Sequence, residues 1–132
     1  MARIHPEKRY LQLVDRILRS GYKETGRNGV TRVLLGEVLK FPLTNNTLPL
    51  LTTKKLAWRT CLKELLWFIE GDTSNAKLVD QNVHIWSGNA TRDFLDPRGL
   101  YDRPEGDLGP IYGHQWRFLN AKYKTCNDVY TG

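Results

Sequence analysis

Apolar residues recur at helical spacing near the start of the chain, at strand-like density after it, and at helical spacing again near the middle. From Tyr10 to Ser20, Leu11, Val14 and Leu18 share one face with Leu13 and Ile17 beside it, and Gly21 stands where a helix would stop. This predicts a first helix over Tyr10–Ser20. From Thr31 to Leu43 the β-branched and apolar residues Val33, Leu34, Leu35, Val38, Leu39 and Phe41 surround Gly36. The pattern predicts two strands with a turn or bulge at Gly36, ended by Pro42. A long helix is expected through Trp58, Cys61, Leu62, Leu65 and Ile69 to Gly71, capped by Thr52 or Thr53. A short one through Leu78 would be capped by Thr73 or Ser74. Beyond Trp86 the scattered residues Gly88, Gly99, Gly106, Gly109 and Gly113, with Pro97, Pro104 and Pro110, argue against a long regular element before Gln115.

The central helix contains one carboxylate that its own pattern does not explain. In K-E-L-L-W-F-I-E-G (Lys63 to Gly71), Glu64 shares a stripe with Cys61, Trp67 and Phe68, and no lysine stands four residues on. Burial is the expectation, and a buried carboxyl costs several kcal/mol to ionise unless hydrogen bonds answer it, so its proton affinity rises toward neutrality. That makes Glu64 a candidate general acid or base. A helix that rolls slightly would instead put the carboxylate in solvent as a mere helix former. The stripe alone favours that plainer reading.

Composition narrows the class without choosing a function. With 132 residues, 40% apolar and 26% charged, the chain reads as one soluble globular unit, and no repeat or linker marks a boundary. The net charge of +6 suits anionic partners such as phosphates, carboxylates or nucleic acid. Neither a nucleic-acid-binding motif nor a basic stripe interleaved with aromatics accompanies it, so nucleic acid ranks last. Cys61 and Cys126 form no framework or metal-ligand spacing and read as free thiols, Cys61 as a small buried hydrophobe. Met1 to Arg9 is polar, and no apolar run nears the ~20 residues of a membrane span. A cytoplasmic protein without a metal is the expectation.

Several separated segments carry a resemblance. L-P-L-L-T-T-K-K (Leu48 to Lys55), K-E-L-L-W-F-I-E-G-D-T-S-N (Lys63 to Asn75), V-H-I-W (Val83 to Trp86), R-D-F-L-D (Arg92 to Asp96) and E-G-D-L-G-P-I-Y-G-H-Q-W-R (Glu105 to Arg117) resemble, in order and spacing, the N-terminal half of a thymidylate synthase. The resemblance covers nearly the whole chain from Tyr10 on. It implies an α/β (α+β) fold, a mixed sheet with helices packed on one face, of which residues 1–132 are the N-terminal part of a single domain. Intact members form homodimers, so an isolated half would leave apolar sheet surface exposed.

The resemblance also implies a site. Glu64 would move protons at the pyrimidine ring of dUMP through ordered water, and Tyr112, between Gly109 and Gly113, would position water beside carbon 5. Arg27, in G-R-N-G-V-T, would clasp the nucleotide's phosphate with its planar fork of donors. This loop departs from the family's usual D-R-T-G-T-G-T, with Gly26 in place of the aspartate, and Arg32 is a rival. Ile85, Trp86 and Asn89 would line the folate pocket, and Lys54 with Lys55 would face the glutamate tail of folate. Ser87 replaces the acidic residue that commonly follows Trp86, and His114 is not required by the family. For each of these the plainer alternative is a solvated loop or helix start, or, for Trp86, a core residue.

The implied reaction is the conversion of dUMP to dTMP, with 5,10-methylenetetrahydrofolate as the one-carbon and hydride donor. It begins with a cysteine thiolate that the family carries in a Pro-Cys-His context, which this sequence does not contain. The 132 residues alone are therefore expected to be inactive. Two other readings remain open: a pyrimidine nucleotide hydroxymethylase on the same scaffold, and a non-catalytic truncated partner of an intact subunit.

Overall fold

A computed structural model describes residues 5–27 and 29–131. Its element order is α1 (Glu7–Ser20), β1 (Tyr22–Gly26), β2 (Gly29–Val33), α2 (Trp58–Ile69), α3 (Asn75–Val79), α4 (Arg92–Leu95) and α5 (Tyr112–Arg117), with single 3-10 turns at Thr44–Asn46, Ser87–Asn89 and Asp96–Arg98. The class is mixed α/β, and its sheet among the described residues is one antiparallel pair. The chain divides into two compact units, Met1–Leu56 and Ala57–Gly132.

In the first unit, α1 starts three residues before the periodicity does, with Glu7 in its first turn and Arg19 in its last, both favourable to the helix dipole. Its half-buried side is Leu13, Val14 and Ile17, while Leu11 and Leu18 face solvent. Gly21 ends the helix as expected, but in extended backbone (φ −66°) rather than a left-handed cap. Glycine is required there by space, because a Cβ would stand 2.5 Å from the Ile17 carbonyl oxygen.

The strands differ from the expected pair. β1 and β2 form a hairpin in register from Tyr22 opposite Val33 to Gly26 opposite Gly29. Only Thr31–Val33 of the predicted first strand is in it, and the apolar run after Gly36 forms no strand. Strand propensity expresses itself only against a partner: Glu37, Lys40 and Pro42 interrupt that run, whereas the polar Y-K-E-T-G segment is drawn into a ladder by its neighbour. Thr52 and Thr53 do not cap the long helix either. Their two backbone N–H groups and two hydroxyls all donate to the carboxylate of Glu7, at 2.6 to 2.9 Å. Four donors on one buried carboxylate stabilise its charged form, and the pKa of Glu7 falls to about 2.

The second unit has a hydrophobic core of Trp67, Leu78 and Val83, with Phe68, Trp86, Leu108 and Ile111 packed against it. The Trp67 indole donates to the Ser74 carbonyl at 3.2 Å, which ties α2 to the start of α3. Ser74 takes the N-cap position of α3 as expected, yet its hydroxyl makes no cap bond; Asp72 instead accepts the Ser74 N–H at 2.8 Å. Gly71 closes α2 in the left-handed region (φ +75°), and a Cβ there would meet Phe118 at 2.6 Å. After Trp86 only short elements form, as expected, and α5 (Tyr112–Arg117) has six residues.

Helix α2 is apolar on two sides. One packs Trp67 into the core, while Trp58, Leu62, Leu65, Leu66 and Ile69 on the other are roughly half exposed. Exposed apolar surface is thus found on this helix as well as on the hairpin, where Tyr22 and Val30 are 50% and 65% exposed. Cys61 lies on this open side, exposed rather than buried.

Candidate active site

The site is built on the half-buried flank of α2. Glu64 and Phe68, one turn apart, project together. Glu64 is half-buried rather than enclosed, and its carboxylate accepts a hydrogen bond from the indole Nε1 of Trp86 at 2.8 Å. A charged acceptor makes such a bond stronger than a neutral pair, so indole and carboxylate orient each other. Trp86 is held in turn by the tight turn that follows it, where the Asn89 N–H donates to the Trp86 carbonyl at 2.9 Å.

Phe68 is the hub of the aromatic group. Its ring centroid lies 5.4 Å from Tyr112, 5.7 Å from Trp116 and 6.5 Å from Trp86, each edge to face, and Trp86 lies 6.3 Å from Tyr112. Tyr112 and Trp116 are themselves one helical turn apart on α5. Gly113 lets that helix approach: a Cβ at this position would stand 2.7 Å from the Phe68 carbonyl oxygen. Trp86, Pro110, Ile111, Tyr112, Gln115 and Trp116 line an open cleft of about 420 Å³. Tyr112 and Trp116 are 57% and 59% exposed, so flat aromatic surface faces solvent beside an oriented carboxylate. Such walls suit a planar heteroaromatic ligand, and the carboxylate can give or take a proton there.

Behind the cleft, the fully buried Asp107 sets the loop that leads into α5. Its carboxylate accepts from the Gly109 N–H at 2.6 Å, the Tyr123 hydroxyl at 2.7 Å and the Cys126 N–H at 2.9 Å. Burial, and secondarily Asp107, push the Cys126 thiol up, which disfavours the thiolate. Burial and the bond donated to Asp107 also hold the Tyr123 phenol above its ordinary value.

The remaining expected site residues lie elsewhere. Ile85 points to solvent at 54% exposure, and Asn89 is half-buried; neither lines the cleft. Arg27 and Lys54 belong to the first unit, Arg27 exposed in the hairpin turn and Lys54 exposed in the loop after Leu51. Arg32 is engaged within that unit, donating to the Gly21 carbonyl at 3.3 Å. Sequence reading missed Phe68 as the hub and Trp116 and Ile111 as walls. The signal for Trp116 was present in Y-G-H-Q-W, whose two aromatics fall one turn apart once the segment is helical. Among the described residues no group of acidic, histidine or cysteine side chains could hold a metal, and no helix is long and apolar enough to cross a membrane.

Known proteins place the chain. A family model described as Thymidylate synthase matches residues 8–131. The chain is 49% identical over 131 residues to a bifunctional dihydrofolate reductase-thymidylate synthase of Leishmania major, covering 98% of this chain and 25% of that protein. It is 49% identical over 128 residues to the thymidylate synthase of Saccharomyces cerevisiae, covering 96% and 42%. A bifunctional dihydrofolate reductase-thymidylate synthase of Paramecium tetraurelia is 45% identical over 128 residues, covering 96% and 28%. The chain thus spans less than half the length of each. With the match running from α1 through the aromatic cleft to the last described residue, the chain belongs to the thymidylate synthase family.

Proposed function

We propose that this chain carries the proton-transfer and folate-facing part of a thymidylate synthase active site, for the methylation of dUMP to dTMP. The reading rests on one observation above all: the Glu64 carboxylate held by the Trp86 indole at the edge of an aromatic cleft. Glu64 passes protons to and from the pyrimidine through ordered water, and Tyr112 holds water beside carbon 5, where a proton must leave. Arg27 takes the nucleotide's phosphate in its fork of donors. The cleft's volume is within the range of small-ligand sites, and its indole and phenol walls can stack a pterin. On this reading Trp86 would hold 5,10-methylenetetrahydrofolate in the cleft, Ile85 and Asn89 would meet it from outside the cleft, and Lys54 would face its glutamate tail. That co-substrate supplies the one-carbon unit and the hydride. The parent protein is a cytoplasmic homodimer on this reading.

The chain alone does not turn over. Covalent activation of the pyrimidine needs a thiolate, and Cys126 is a poor one, its thiol pushed up and its backbone bound to Asp107. Tritium release from dUMP labelled at carbon 5 tests both statements, with the chain alone and with a chimera in which the downstream part of the S. cerevisiae relative follows Gly132. The chain alone should match a no-protein control, and the chimera should turn over. In the chimera Glu64→Gln should lower turnover by about 100-fold or more with nucleotide binding kept within severalfold. Turnover near that of the unsubstituted chimera would reduce Glu64 to a solvated helix residue.

A further inference from the structure

Among the described residues, the amide oxygen of Asn75 and both ring nitrogens of His114 are the buried side-chain polar atoms without a partner, and His114 alone of the two can change its charge. His114 is 1% exposed. Three rings enclose it: Phe118 at 5.6 Å, Tyr123 at 5.1 Å and Tyr130 at 4.8 Å between centroids, the two tyrosines nearly perpendicular to the imidazole and stacked on each other. The tyrosines belong to the segment after α5, which has no helix or strand of its own. That segment is pinned by the bonds of Tyr123 and Cys126 to Asp107 and closed on itself by the Tyr130 hydroxyl, which donates to the Thr125 carbonyl at 2.6 Å.

We propose that His114 is a proton-operated latch: a proton taken up by its ring releases the segment 121–131 from α5. The physical reason is the lack of acceptors. A neutral imidazole here forgoes two modest hydrogen bonds, but an imidazolium carries a full charge and two N–H donors that only water could satisfy. Aromatic faces attract a cation without accepting such bonds strongly, and water reaches the ring only if the tyrosines move away. The ionisable groups on the surrounding elements do not supply an anion. Asp107 lies beyond Tyr123 and is already filled by three donors, and Arg103 stands over the Tyr123 ring with a like charge. Glu70, Asp72, Lys77, Cys126 and Asp128 line a shallow cleft that Phe118 and Tyr130 also line, where Asp72 is paired with Lys77, and none of them bonds a ring nitrogen of His114. Lys124 and Arg117, on the segment and on α5, are cations.

Burial holds the His114 imidazole below its ordinary value of 6.5, which agrees in sign. Above that value the ring is neutral whether the segment is docked or open, and docking is at full strength. Below it the open state binds the proton first, so opening grows as pH falls. Because α5 also carries Tyr112 and Trp116, opening would loosen the wall of the cleft from behind.

Amide hydrogen exchange of the purified chain between about pH 8 and about pH 5, corrected for intrinsic rates, tests the latch. Opening at Lys124 and Cys126 should rise by up to about tenfold per pH unit below about 6.5. In His114→Phe, which keeps a ring and removes the titration, the same amides should show no such slope. Equal slopes in the two proteins overturn the proposal. Should the variant fail to fold, the wild-type resonances decide. The His114 ring and the Tyr130 ring should move with one midpoint below that of histidine in an unstructured peptide, and separate midpoints overturn it.

Discussion

The two units reach order by different routes. Among the described residues, the buried apolar side chains all lie in the second: Trp67, Leu78, Val83, Ala90 and Leu95. Among the described residues of the first, only Glu7 and Gly21 are buried, while Leu35, Val38, Leu43 and Leu48 are 68 to 78% exposed. One unit is therefore held by a packed interior that α2 nucleates. The other is held by a helix, a hairpin and one carboxylate that gathers four donors from a loop 45 residues away. Isolated helices and hairpins are marginal in water, so the first unit depends on that carboxylate far more than the second depends on any single polar group.

Removing the core should produce the largest effect and confine it to one unit. Trp67→Ala should cost about 3 to 5 kcal/mol, a large share of the ~5 to 15 kcal/mol of a typical domain. Urea unfolding followed by near-ultraviolet circular dichroism should lose its cooperative transition, while the amides of α1 keep their protection. Loss of protection in both units together would show that their stabilities are coupled.

Acid should break the first unit instead. The Glu7 pKa falls from its usual 4.5 to about 2, so its contribution is present above about pH 4.5 and lost as pH falls toward 2. Exchange at Thr52 and Thr53, whose amides donate to Glu7, should accelerate across that window. In Glu7→Gln those amides should be poorly protected at every pH. Protection at Thr52 that is independent of pH would remove Glu7 from its central place.

A smaller and more specific effect concerns the exposed cations of the first unit. In the chimera, Arg27→Lys keeps the charge but loses the forked geometry, and should raise the Michaelis constant for dUMP by about tenfold. Arg32→Lys should change it little, since Arg32 is engaged with the Gly21 carbonyl. Reversed effects would pass the phosphate to Arg32.

How much of this was legible depends on the range of each interaction. Helical periodicity is local, so α1 and α2 were readable from the spacing of leucines and isoleucines. The glycines and prolines after Trp86 announced short elements for the same reason, and Glu64 stood out because a single carboxylate in an apolar run is visible without any fold. The family, too, was carried by motifs that survive as strings. Where a residue's role depends on a partner far along the chain, the string is silent. Thr52 and Thr53 look like helix caps until Glu7 is docked against them, and Tyr22–Gly26 is a polar loop until β2 lies beside it. Glu64 acquires its orientation only from an indole 22 residues on. Its half-buried state, the Phe68 hub and the acceptor-free seat of His114 were likewise decided by how α2, α5 and the last segment pack. The physical reason is that a side chain's hydrogen bonds and exposure belong to the surfaces brought against it, and those surfaces exist only once the chain has folded.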